Sequence, residues 1–457
     1  MSKITIIGSG PGGYVAAIRA AQLKNEVILI EKDELGGTCL NRGCIPTKSF
    51  IQSANAYRDA MQSSIFGVKT TGVSLDFPAV VKRKEKIVKR LVSGVQFLMK
   101  KNIVKVVTGV GTIIDPKTVK INISNENIKS DQIIIATGSF PSSLAVEGID
   151  SGDVINSNQA LEMQRLPASL AVIGGGVIGI EIAQLMQRMG VTVTVLEIMQ
   201  QILPGEDQDL ATMLEAVLKA DGVEIYTGAK VLKIKANGTN KKIVFSTGEA
   251  NKEITVEKVL VAVGRSPETR DLGLEKLGIE MNNKFISVNE KMQTSIPGIY
   301  AIGDVVGGIM LAHVASHEGR CAVENASGIG HGMDYRAVPR CIYTSPEIGC
   351  VGLTKSQAIE KYGSDVAVGM FPLAGNGKAM IIDGTGMVKI IAEKKHNEVL
   401  GIEIIAPHAT ELIAEGVLAM CMEATFEDLA LAIHAHPTLS EAIMEAALNV
   451  KGQAVHV

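Results

Sequence analysis

Two glycine-rich turns constrain this chain more than any other feature. They are Gly8-Ser9-Gly10-Pro11-Gly12-Gly13 and Gly174-Gly175-Gly176-Val177-Ile178-Gly179. Each follows an apolar run with strand character, Lys3 to Ile7 and Ser169 to Ile173, and each opens a helical pattern, Tyr14 to Leu23 and Ile180 to Met189. A further strand then ends on an acid, Glu31 or Glu197, in both cases 23 residues after the first glycine. A bare GxGxxG match is weak; in this strand–turn–helix–strand context it is strong. The glycines allow a tight turn and close approach of a pyrophosphate, which sits at the positive end of the helix. The acid stands where it would accept hydrogen bonds from ribose hydroxyls. A tight connection alone would not require two such turns with matching strands and acids, so two dinucleotide-binding folds in one α/β chain are expected.

The length, 457 residues, allows roughly three domains, and 46% hydrophobic residues supply their cores. Glycine is abundant, 47 residues against a usual share of about 7%, and much of the excess lies at strand ends. Ile133 to Ile135 runs into Ala136-Thr137-Gly138-Ser139, Val259 to Val261 into Ala262-Val263-Gly264-Arg265, and Ile299 to Ile302 into Gly303-Asp304. Ligands of open parallel sheets lie beyond the carboxyl ends of the strands, so Asp304 is placed to bind a sugar or ribityl hydroxyl. A net charge of −3 gives no global field for nucleic acid or an anionic membrane. The one dense basic run, Lys82-Arg83-Lys84-Glu85-Lys86 with Lys89 and Arg90, reads as a solvated helix face; the alternative is a docking patch for an acidic partner domain. No signal peptide precedes the first strand and no apolar stretch has the length of a membrane span, so a soluble, cytoplasmic protein is expected.

Cys39 and Cys44, with four residues between them and soon after the first fingerprint, suggest a disulfide held against a flavin. Cys321, Cys341, Cys350 and Cys421 lie in apolar or helical surroundings and are expected to be buried thiols; none pairs up at metal-ligand spacing, so no metal site is expected. Glu197 bears on the choice of nicotinamide. NADP enzymes usually place an arginine near the 2′-phosphate, whereas Ile198, Met199, Gln200 and Gln201 supply no cation. Like-charge contact costs several kcal/mol. The expected preference for NAD is at least roughly a hundredfold.

These residues together resemble the flavin-dependent pyridine nucleotide–disulfide oxidoreductases along essentially the whole chain. The likeness rests on both fingerprints, on Gly37-Thr38-Cys39 through Lys48, on Gly303-Asp304, on Tyr343-Thr344-Ser345-Pro346-Glu347, and on His434-Ala435-His436-Pro437-Thr438-Leu439-Ser440-Glu441. It implies two Rossmann-like domains, for FAD (residues 1–145) and NAD (146–264), a central domain that completes the FAD site (265–335), and a C-terminal α+β interface domain for dimerisation (336–457). FAD would be held by Gly8, Gly10, Gly13, Glu31 and Lys48, by Gly111, by Ala136, Thr137 and Gly138, and by Asp304 and Ala312. NAD would be held by Gly174, Gly176, Gly179, Glu197, Val231 and Gly264. The resemblance further implies a homodimer in which the partner's interface domain completes each site. Its substrate would be a dithiol of the lipoyl type, carried on lipoyl-bearing domains of 2-oxoacid dehydrogenase complexes or on the glycine-cleavage H protein.

The same resemblance distributes the chemistry. Cys39 would exchange with the dithiol and Cys44 would lie under the flavin as a stabilised thiolate. Pro46 suits the first turn of a helix running on through Tyr57, whose N-terminus would lower the thiol pKa of Cys44. Lys48 would pair with Glu181 beside the flavin. His436, oriented by Glu441, would be the base, although Thr438 to Glu441 also fits a capping box in which Glu441 serves only backbone donors. Arg42 departs from the family, which often has a small apolar residue there, and would alter the charge near the disulfide. Two rival enzymes are disfavoured: a glutathione-type reductase by Glu197, and a mercuric reductase by a C-terminus without paired cysteines. A nucleotide-binding flavoprotein without turnover would have no use for Cys39, Cys44, His436 and Glu441 together.

Overall fold

The computed structural model describes all residues except Met1, Glu249 and Val457. Its first sheet is fully parallel, with strands in the order Ile299–Ala301, Gln132–Ile135, Lys3–Ile7, Glu26–Glu31, Lys105–Thr108. These segments are rich in isoleucine, valine and leucine because both faces of the sheet are covered, one by helices and the other by the antiparallel strands Gly111–Asp115, Thr118–Ile121 and Asn127–Lys129. The fingerprint helix, Pro11–Gln22, lies against one face and meets helix Ala312–Ala326 from far along the chain. The two helices touch almost backbone to backbone: a Cβ on Gly12 would sit 2.9 Å from the Ala315 carbonyl oxygen, and one on Gly319 would sit 2.5 Å from that of Gly12. The sequence 299–326 is thereby built into the first nucleotide fold.

The second parallel sheet repeats the plan, in the order Glu224–Tyr226, Thr192–Leu196, Ser169–Ile173, Lys258–Val261, Val154–Asn156. A three-stranded antiparallel sheet, Ala229–Asn237, Asn240–Thr247 and Ala250–Val256, packs on it through Phe245, Ile243 and Val231. Helices begin earlier than the apolar periodicity indicates: Pro11 rather than Tyr14, and Val177 rather than Ile180. In each case fingerprint residues themselves form the first turn, Pro11-Gly12-Gly13 in one helix and Val177-Ile178-Gly179 in the other, so local propensity is outweighed by the turn geometry.

The C-terminal part is a five-stranded antiparallel sheet, in the order Arg340–Ile342, Glu347–Gly352, Val399–Ala406, Met387–Glu393, Val366–Pro372, covered by helices Ala409–Cys421 and Glu441–Asn449. An ionic cluster joins it to the second nucleotide fold. Lys389, 1% exposed, lies 2.8 Å from Asp209, 3.2 Å from Asp207 and 3.1 Å from Glu403, and Arg340 pairs with Glu206 at 3.1 Å. Lys389 and Glu403, each 1% exposed, form a buried ion pair at the centre of the cluster. Burial pushes the Glu403 carboxyl up to about 7 against the pull of Lys389. No helix is long and apolar enough to cross a membrane among the described residues.

Candidate active site

A cavity of about 1000 Å³ lies where all these parts meet. It is at the upper end of the range for small-molecule sites. One wall is the first fingerprint, and its glycines are dictated by contact distances. Gly8 has φ +102°, and a Cβ there would fall 2.3 Å from the Ala136 oxygen. A Cβ on Gly13 would fall 1.9 Å from the Gly8 oxygen, so strand and helix can close only on glycine. Gly10 differs: a Cβ there meets nothing within 4 Å and would project into free space. The second fingerprint repeats this pattern. Gly174 has φ +108° and Gly179 would clash at 2.0 Å, while Gly176 faces open space. Two glycines close the turn, and the middle one leaves room for a pyrophosphate.

The two acids behave alike. Glu31 accepts from the Ser9 backbone N–H at 2.8 Å and hydroxyl at 2.5 Å, and its other oxygen accepts from the Asp33 N–H at 2.8 Å. Glu197 accepts from the Gly175 N–H at 2.5 Å and the Met199 N–H at 2.7 Å. Each carboxylate thus ties its fingerprint to the segment after its own strand, with lone pairs left for ribose hydroxyls. Glu31 lines the cavity, as do Gly111, Ala136, Thr137, Gly138, Asp304 and Ala312. Asp304 accepts from the Ser139 hydroxyl and has Arg265 Nε at 3.5 Å. Ser139 and Arg265 went unassigned in the sequence, although each directly follows a strand-end glycine singled out there. Gly174, Gly176, Gly179, Glu197, Val231 and Gly264 lie outside this cavity, on the second nucleotide fold. The Val231 side chain is used in the core, 7% exposed, so only its main chain can face a ligand.

Cys39 and Cys44 form the floor of the cavity as free thiols in hydrogen-bond contact. Cys39 belongs to helix Gly37–Arg42, and Cys44 is the first residue of helix Cys44–Met61, which begins two residues ahead of Pro46. The hydrogen bond with Cys39 lowers the Cys44 thiol to about 7, against burial and with help from Lys48 and from its own backbone N–H at the helix start. The same hydrogen bond, with burial, pushes Cys39 strongly upward. Of the two, Cys44 is the one placed at a helix start and beside Lys48, the surroundings that favour a charged thiol.

Lys48 Nζ is 2.7 Å from Glu181 Oε2, and the other Glu181 oxygen accepts from the Tyr343 N–H at 2.9 Å. Glu181 is 3% exposed, and Lys48 stands 4.4 Å from the Tyr343 ring centre. This one carboxylate joins helix Val177–Arg188, helix Cys44–Met61 and the C-terminal part. Arg42 is neutralised by Asp33, so its charge does not fall freely on the thiols. Of the other cysteines, Cys321 and Cys350 are buried as expected. Cys341 is half-buried in the cavity wall, where burial raises its thiol to about 11. Cys421 is exposed, because it closes helix Ala409–Cys421 on the face away from the sheet.

His436 and Glu441 are together but not in the cavity. His436 Nδ1 lies 2.9 Å from Glu441 Oε1, with the histidine side chain 78% exposed. With Nδ1–H donated to Glu441, Nε2 is free to take a proton. Burial would raise Glu441, but the Thr438 N–H and His436 together hold it below the usual carboxylate range. The capping box does not form: the helix starts at Glu441, and Thr438 turns its hydroxyl to the Ala435 carbonyl instead of capping. Glu441 serves one backbone donor and the imidazole at once. His434, two residues away, is occupied by Glu415 at 2.8 Å and by the Ala432 carbonyl.

Residues 2–319 match the pyridine nucleotide-disulphide oxidoreductase family, and residues 338–447 match its dimerisation domain. A dihydrolipoyl dehydrogenase of Bacillus subtilis (strain 168) is 45% identical, over 99% of this chain and 98% of the relative. A mitochondrial dihydrolipoyl dehydrogenase of Pisum sativum is 41% identical, over 100% and 93%. Among solved structures, LpdA of Mycobacterium tuberculosis superposes with a TM-score of 0.90 at 29% identity, covering 98% of this chain and 99% of that one.

Proposed function

The chain belongs to the pyridine nucleotide-disulphide oxidoreductase family, and from that premise we propose that it reoxidises protein-bound dihydrolipoamide to lipoamide with FAD, reducing NAD⁺ to NADH. The observation that carries this reading is the Cys39–Cys44 pair in the wall of a dinucleotide-sized cavity, with Cys44 at a helix N-terminus. FAD would lie along Gly8 to Gly13, Glu31, Ala136 to Gly138 and Asp304, and NAD along Gly174 to Gly179 and Glu197. When bound, FAD supplies the two-electron link between a dithiol and a nicotinamide. Residues 1–145, 146–264, 265–335 and 336–457 are assigned to the FAD, NAD, central and interface domains; separate sheets support the second and fourth, whereas Ile299–Ala301 pairs into the sheet of the first, so that 265–335 completes the FAD fold.

The protein's own part is thiol exchange. His436 Nε2 takes the proton of one substrate thiol, and the resulting thiolate attacks Cys39 of the oxidised pair. The Cys39–Cys44 bond breaks, and Cys44 leaves as the thiolate that its helix N-terminus and Lys48 stabilise. The second substrate thiol then attacks its neighbour's sulfur in the mixed disulfide. Cys39 departs, takes the proton, and becomes the hydrogen-bond donor to Cys44. Glu441 holds the imidazole throughout and Glu181 holds Lys48. Because His436 is outside its own chain's cavity, the base for each site is the partner subunit's His436 in a homodimer. Lipoyl-bearing domains of 2-oxoacid dehydrogenase complexes or the glycine-cleavage H protein deliver the substrate, and the expected compartment is the cytoplasm.

The test is the initial rate of NAD⁺ reduction by free dihydrolipoamide, beside NADPH oxidation by glutathione disulfide. Only the first reaction is expected to run, and NADH should be favoured over NADPH by at least roughly a hundredfold. If only the second ran, the enzyme would be a thiol-defence reductase.

A further inference from the structure

Helix Phe77–Lys101 is 25 residues long and packs on the helix that carries Cys39 and on the one that begins at Cys44. Its inner face is Phe77, Val81, Lys84, Val92, Val95 and Met99. Its outer face carries two cationic groups, Lys82, Arg83, Lys86, Lys89 and Arg90 towards the start and Lys100 and Lys101 at the end, all exposed. The helix carries eight cations and one acid, a charge of +7 in a chain whose total is −3, which leaves −10 on everything else. Among the described residues, none of its cations is in a salt bridge with a carboxylate. Two of the basic run are used internally: Arg83 donates to the Ser49 carbonyl and hydroxyl, and Lys84 lies over the Phe50 ring at 5.7 Å.

A solvated helix face normally mixes signs. Cations spaced by four, as in Lys82–Lys86–Arg90, destabilise a helix by a few tenths of a kcal/mol per pair, and the single exposed acid, Glu85, does not balance them, so the face carries a stability cost that an anionic occupant would offset. Phe97, 63% exposed, sits in the middle of this face and offers an apolar contact within the charged field.

We propose that this outer face is the landing surface for the substrate's carrier, a lipoyl-bearing domain of net negative charge, and that it steers the carrier to the thiols next door. The proposal rests on the reading of the reaction given above and names the charge its protein substrate must bear. Charge complementarity selects the occupant, and packing of the helix against the Cys39 helix gives the field its point of use. Steering of this kind raises association rates tenfold or more and fades with salt, since the screening length is about 10 Å at 0.1 M.

The experiment measures kcat/KM of the FAD-loaded enzyme for two reduced substrates, an acidic lipoyl domain and uncharged free dihydrolipoamide, from low to about 0.3 M salt. A quadruple variant, Lys82→Gln, Lys86→Gln, Lys89→Gln and Arg90→Gln, is measured beside it. For the lipoyl domain, the wild type should lose about tenfold with salt, and the variant should start about tenfold lower and respond weakly. For free dihydrolipoamide, enzyme and variant should agree at every salt concentration. Equal kcat/KM of the two enzymes on the lipoyl domain would overturn the proposal. So would a variant that loses binding to anionic vesicles or nucleic acid while its carrier kinetics stay intact. Failure of both enzymes on free dihydrolipoamide would instead remove the proposed reaction.

Discussion

Cys44 shows how much of the chemistry is fixed by a few neighbours. Its thiol is lowered to about 7 by Cys39 and by Lys48, while Glu181 works the other way. Replacing Lys48→Met should therefore move Cys44 upward by about one unit or more, read as a displaced pH profile of alkylation in the reduced enzyme; an unmoved profile would mean that Lys48 acts elsewhere. His436→Gln should cut dithiol oxidation by roughly 10²–10⁴-fold while NADH oxidation by an artificial acceptor survives, and equal loss of both would remove its role as base. The fingerprint glycines separate by contact. Gly13→Ala meets the Gly8 oxygen and should prevent the first fold from closing, whereas Gly10→Ala should fold normally and bind FAD weakly, by flavin fluorescence on dilution. Most of these residues could be read from the chain because motif spacing carries them. Tyr343 N, Ser139 and Arg265 could not, because their partners lie more than a hundred residues away.

At the scale of elements, strands were the legible part. Isoleucine and valine runs buried on both faces announce strands, though not their direction: the parallel strands of the two nucleotide folds and the antiparallel Met387–Glu393 and Val399–Ala406 carry the same signature. Helix starts were less so, since Pro11, Gly12 and Gly13 hide the periodicity in the first fold and the glycine fingerprint runs into Val177 without a break in the second. The packing of Ala312–Ala326 on Pro11–Gln22 has no local signal beyond Gly319. The contact between the C-terminal sheet and the second nucleotide fold is equally hidden, because its charges are ordinary until Lys389 and Glu403 are seen to share a buried cluster. Glu403 titrates near 7 in the folded protein, above its unfolded value of about 4.3. Its contribution to stability is thus present below that unfolded value and is lost as pH rises through about 7. Glu403→Gln should escape this loss, so its melting temperature should gain on the wild type between pH 5 and pH 8. A difference that does not change with pH would contradict the assignment.

For the whole molecule, the separation of His436–Glu441 from the cavity is the decisive fact. Neither histidine nor thiols can turn over alone if the partner subunit's His436 supplies the base. Inactive Cys44→Ser and His436→Gln dimers, dissociated together and reassembled, should regain about a quarter of wild-type activity, since half the dimers are mixed and each holds one intact site. No recovery would place both groups in one chain. The sequence carried the membership of this site but not its division between chains, which depends on where the sheet of residues 340–406 holds the loop at 436. One feature reaches across all these scales. Helix Val177–Arg188 begins at the second fingerprint and, one turn later, gives Glu181 to Lys48 and Tyr343. Nucleotide and thiol proton thus act on the first turns of one rigid helix. By thermodynamic reciprocity, whatever factor an occupied fingerprint imposes on the proton affinity of Cys44, that proton must return to the nucleotide's own dissociation constant.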